Sequence, residues 1–154
     1  MIAEIRNKFN TQFTEEKYKA FIEELHSQYF GALEFRVAET PIFVDKFFTK
    51  KMLDTCENII DVITGYNFKT ITSHAIPGNV RVPNEQDHCH FIAFDFGICE
   101  NEAGELEPQL IEMQGFPTLF AYHAYYPQIL EQFFQIPADF SNYFNNLNFE
   151  NYIF

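Results

Sequence analysis

Two apolar runs, His90 to Cys99 and Leu106 to Gln114, flank the acidic, glycine-containing segment Glu100-Asn101-Glu102-Ala103-Gly104-Glu105. Strand-length segments joined by a short polar link are the pattern of a β-hairpin. The reversal lays the two runs side by side, and the period of two then decides which side chains meet. With the turn centred on Ala103-Gly104, Asp95 falls opposite Glu112. Like charges directly opposed on a sheet repel unless water, a proton or a cation intervenes. Gln114 lies two residues past Glu112 on the same strand face, so two carboxylates and an amide oxygen form a hard-donor set of the kind that suits Mg²⁺. The competing reading is a solvated acidic face, which a one-residue slip of register would break up. Both acids interrupt apolar strands, Asp95 within Phe91–Phe96 and Glu112 within Leu110–Met113. A charge buried there without a partner would be costly, which favours the metal.

Around the hairpin the pattern is helical. Tyr18, Phe21, Ile22, Leu25 and Tyr29 recur at helical spacing behind Thr14 and two acids, predicting a helix over 14–30. Phe48, Met52, Leu53, Cys56, Ile59, Ile60 and Ile63 form an apolar stripe closed by Gly65, predicting a second helix over 45–64. Leu33 to Val37 reads as a brief extended segment, and residues 73–87 as an irregular connection with turns at Pro77-Gly78 and Pro83-Asn84. A further helix begins after Gly115-Phe116-Pro117, with Pro127 limiting it or opening another. The expected fold class is α+β: two N-terminal helices packed on a small, mainly antiparallel sheet that contains the acidic hairpin, with a helix at the C-terminal end.

The length of 154 residues fits a single domain over 1–154. The chain is 47% hydrophobic with 20 Phe and 8 Tyr, enough apolar surface for a packed core. A formal net charge of −12 repels a polyphosphate backbone, which makes nucleic acid a poor partner. The apolar stretches are broken by Lys50-Lys51, Asp54, Glu57 and Asp61, so no membrane span is expected. Without a signal-like start, and with Cys56, Cys89 and Cys99 odd in number and widely spaced, the expectation is a cytoplasmic protein with buried, reduced thiols.

Phe94-Asp95-Phe96, the acidic loop, Pro108-Gln109-Leu110-Ile111-Glu112-Met113-Gln114 and the following Pro-Thr-Leu helix start together resemble the magnesium-binding hairpin of ATP-grasp ligases. Their order is most similar to the circularly permuted branch that includes glutathionylspermidine synthase-like proteins. The resemblance covers roughly residues 90–125. It implies that Asp95 and Glu112 are metal ligands and that Gln114 stands in for the family's asparagine, the set holding Mg²⁺ against ATP phosphates. It also implies ATP-dependent ligation of a small-molecule carboxylate to an amine through an acyl phosphate. Ala93 replaces the family's arginine two residues before the aspartate. The family's nucleotide-clamping lysines follow the hairpin in the permuted order, so the resemblance implies the front portion of a longer protein, not catalytic in isolation.

Other candidates are weaker. Arg36 and Arg81 sit near loops where either could meet a phosphate or carboxylate, and Arg81 is the better candidate for the nucleotide. His88 and His90 share a strand face and could bind a transition metal with help from His74 or His123, but they lack an accompanying ligand pair. Cys89, beside both, is expected in the core. The alternative function is a non-catalytic interaction module: Phe120, Tyr122, Tyr125, Tyr126, Phe133 and Phe134 would form an aromatic surface for a protein partner, a second copy or a missing downstream domain.

Overall fold

In the computed structural model, described over residues 2–85, 88–117 and 119–141, the chain is α+β. Its α-helices are α1 (Ala3–Asn10), α2 (Glu15–Ser27), α3 (Lys46–Ile63), α4 (Phe68–Thr72) and α5 (Phe120–Phe133), with strands β1 (Ala93–Glu100) and β2 (Leu106–Gln114) between α4 and α5. It divides into two compact units, Asp45–Pro117 and the combination of Met1–Val44 with Thr118–Phe154. Among the described residues no helix is long and apolar enough to cross a membrane.

The unit built from the two chain ends holds an aromatic core. Thr14 caps α2 by accepting a hydrogen bond from the Lys17 amide at 3.2 Å, and Gly31, at φ +76°, turns the chain beyond the helix. The helix ends at Ser27, short of the predicted bound at residue 30. Its inward stripe supplies Phe21 and Leu25, at 1% and 0% exposure, which join Phe9, Val37, Phe43, Ile129, Leu130 and Phe134 in one cluster. Phe21 meets Tyr126, Phe133 and Phe134 edge-on with centroids 5.8, 6.0 and 6.1 Å away, the arrangement that ring quadrupoles favour. α2 packs on α5. Pro127 neither ends α5 nor starts another helix, which continues through it to Phe133. Residues 33–37 form no strand. Helix α1 has no counterpart in the sequence reading; its only buried residue is Phe9. The aromatic residues 120–134 proposed as an exposed surface are instead half-buried or buried, Phe134 at 3% exposure.

The unit Asp45–Pro117 carries the hairpin. Asp45 caps α3 by accepting from the Phe48 amide at 2.7 Å, and α3 packs on β2. Lys51 of α3 donates to the Leu106 carbonyl at 3.0 Å and lies 3.5 Å from the Glu107 carboxylate, tying the helix to the base of β2. Phe48 is the one hydrophobic residue of this unit counted as buried among the described residues.

Candidate functional site

The hairpin loop is built on one side chain. Asn101 Oδ1 accepts from the Ala103 and Glu105 amides at 3.0 and 2.9 Å, and the Asn101 amide donates to the Glu105 carbonyl at 2.9 Å. Gly104, at φ +80°, takes the left-handed position that a Cβ would strain. Glu100 pairs with Leu106, so the loop is Asn101–Glu105, centred on Ala103 and not on the Ala103-Gly104 bond.

That shorter register alone would place Asp95 across from Ile111. The ladder shifts instead between Asp95 and Phe96: Phe96 pairs with Leu110 while Asp95 pairs with Glu112, leaving Ile111 as the extra residue of a β-bulge. The predicted opposition of the two acids is present, reached through the bulge and not through the turn.

Alternation along the ladder sorts the hairpin into two faces. Asp95, Gly97 and Cys99 share one with Glu112, Gln109 and Glu107, their partners across the ladder. Phe94, Phe96 and Ile98 share the other with Met113, Leu110 and Pro108, and the Phe94 and Phe96 rings stack 6.2 Å apart. Asp95 and Glu112 are exposed. The burial cost that favoured a metal in the sequence reading is therefore absent, and water solvates both groups. Gln114, half-buried and beside Glu112, donates its Nε2 hydrogen to Glu112 Oε1, which ties that carboxylate to its neighbour.

The donor set can be tested against Mg²⁺ directly. Among the described residues no group of three or more His, Cys, Asp and Glu is placed to hold a metal, so a cation at this face would have two carboxylates, with Gln114 as a neutral donor. Mg²⁺ commonly takes one or two carboxylates, filling its octahedron with water and phosphate oxygens. The hairpin fits such a partial site and does not form an all-protein cage.

The other candidates are not drawn into it. Arg81 donates from Nη2 to the Ser73 carbonyl at 2.8 Å, bracing its own loop. Arg36 pairs with Glu39, whose carboxyl is held low by that hydrogen bond. His88 and His90 have ring centroids 5.5 Å apart but no third ligand among the described residues, and the neighbouring Asp87 lies outside those residues. Cys89 is exposed, as is Cys99, against the expectation of buried thiols; Cys56 is half-buried, and desolvation pushes its thiol pKa up. A hollow of about 340 Å³, lined by Asn10, Phe13, Glu39 and Thr40, lies in the other unit and contains no hairpin residue. The sequence reading missed the bulge at Ile111 and the bond from Gln114 to Glu112. Neither has a local sequence signal, because both arise only once the strands pair. Comparison with models of known families, with curated proteins and with solved structures finds no match.

Proposed function

We propose that the polar face of the hairpin is the metal-holding part of an ATP-grasp-like site, in which Asp95 and Glu112 bind Mg²⁺ and the cation carries the phosphates of ATP. The observation that supports this is the cross-strand pairing of Asp95 with Glu112, two exposed like charges held together at a bulge with Gln114 bonded to one of them. In the corresponding ligase chemistry a substrate carboxylate oxygen attacks the γ-phosphorus and releases ADP. An amine then attacks the acyl phosphate and expels phosphate, leaving an amide. The two carboxylates would offset phosphate charge and orient the nucleotide, and Gln114 would hold Glu112 in its binding orientation. The groups that clamp the nucleotide and bind both substrates belong to the complete ligase, and this chain is its metal-holding portion. Calorimetric titration with Mg²⁺, then with ATP in its presence, tests the reading. Binding in the wild type that disappears in Asp95→Asn/Glu112→Gln is expected, and equal heats in both remove the site.

A second reading is a non-catalytic interaction module, favoured by a different observation. In Asp45–Pro117, Phe47, Val62, Tyr66, Ile71 and Ile111 are all exposed by more than 60%, an amount of apolar surface that suits a partner. Concentration-dependent sedimentation without any response to Mg²⁺ and ATP would select it.

A further inference from the structure

We infer that the outer edge of β1 accepts an extended segment of a partner protein in which basic and apolar residues alternate. The sheet has two strands, and among the described residues no backbone hydrogen bond joins β1 to anything except β2. The two sides of the hairpin are not equivalent. On the β2 side, α3 packs against the strand, Lys51 occupies the Leu106 carbonyl and Pro108 removes an amide donor. β1, by contrast, reads Ala-Phe-Asp-Phe-Gly-Ile-Cys-Glu, with no proline, lysine or arginine. Those are residues that commonly protect a strand edge from pairing. A two-stranded hairpin is marginal by itself, and a third strand would satisfy the outward amides and carbonyls of β1.

The faces specify what that strand contains. Residues of the added segment across from Asp95, Gly97 and Cys99 join the face that also carries Glu107 and Glu112, whereas their neighbours join the face of Phe94, Phe96 and Ile98. Among the described residues the hairpin's one salt bridge is between Glu107 and Lys51, so Asp95 and Glu112 lie on that face with no cation bonded to them. Lysine or arginine on the first face and valine, isoleucine or phenylalanine on the second complement both. A second copy of β1 would instead bring further acid to an acidic face.

The inference does not depend on metal binding. The probe is a capped peptide of eight residues alternating Lys and Val, titrated into the full chain with amide exchange read by NMR. Protection of β1 amides that do not donate to β2 is expected to rise at least tenfold. Affinity should fall at least tenfold when Glu replaces each Lys, and again when successive peptide nitrogens are methylated so that both peptide edges are blocked. Equal binding by the methylated peptide would mean charge attraction without strand pairing and overturn the inference. So would protection centred outside β1, or no binding. Magnesium titration without peptide reads the proposed metal site separately, so either idea can fail alone.

Discussion

Asp95 stands across the ladder from Glu112 because Ile111 is inserted between Glu112 and Leu110, the residue paired with Phe96. Without a cation this pairing costs stability, since like charges directly opposed on a sheet repel. In chelator, Asp95→Asn is expected to stabilise the unit by about 0.2–1 kcal/mol, the scale of cross-strand pair effects. Added Mg²⁺ should raise the melting temperature of the wild type and leave the variant unmoved. Thermal melts of both proteins with EDTA and with Mg²⁺ make the comparison, and a variant less stable than wild type in EDTA would contradict it.

The aromatic core predicts a sharp contrast between two phenylalanines nine positions apart in the sequence. Phe21 is 1% exposed and touches four rings, whereas Phe30 is 97% exposed. Phe21→Ala should cost about 3–5 kcal/mol through lost burial and the cavity left behind. Phe30→Ser should stay within about 0.5 kcal/mol of wild type, as surface substitutions usually do. Urea denaturation followed by circular dichroism measures both.

Helix α3 begins where Asp45 accepts the Phe48 amide. Asp45→Ala leaves that amide without its side-chain partner and should cost about 1 kcal/mol, while Asp45→Ser, which can still cap, should recover most of it. Loss of helical signal from α3 in the alanine variant, restored by serine, would be the readout. Equal stability of both variants would show that the cap contributes nothing.

These contacts also show where the sequence was informative. The cap at Thr14, the apolar stripes of α2 and α3 and the alternation of β1 and β2 are local patterns, and each predicted element lies close to its observed bounds. The opposition of Asp95 and Glu112 was legible for a different reason: a turn centre misplaced by half a residue happened to cancel the unpredicted bulge. Partner choice was not local. That α2 would pack on α5 depends on where the two chain ends meet in space. For the same reason the rings of α5, which read as an exposed patch, turned out to be half-buried, with Tyr122, Tyr125, Tyr126 and Phe133 packed against the core. The exposure of Asp95 was likewise hidden, because an acid among phenylalanines looks buried until alternation and packing place it on the open face.

Thiol chemistry should separate the three cysteines. Cys89 and Cys99 are exposed, whereas Cys56 is half-buried on α3 with its thiolate disfavoured by desolvation. Since the thiolate is the reacting form, an aromatic disulfide reagent at neutral pH should modify Cys89 and Cys99 rapidly and Cys56 slowly, with all three reacting at similar rates in urea. Mass spectrometry of timed samples assigns the sites. Early modification of Cys56 would mean that α3 opens readily.

Alkaline pH should unfold the aromatic unit through its tyrosines. Desolvation raises the Tyr122 pKa from the ordinary 10.0 to about 12, and Tyr18 and Tyr126 are shifted the same way. The Tyr122 ring is packed edge-on to Phe35 at 5.4 Å and tilted against Tyr126 at 5.5 Å, where a phenolate would be poorly solvated. Below pH 10.0 both folded and unfolded chains keep the Tyr122 proton and its contribution is complete. Above that pH the unfolded chain releases the proton first, so stability falls as the pH climbs through the folded value of about 12. Tyr122→Phe cannot ionise and should therefore lose less stability than wild type over that interval. Urea midpoints at stepped pH, compared with the ultraviolet phenolate signal, test this, and parallel losses in the two proteins would assign the alkaline transition to other groups.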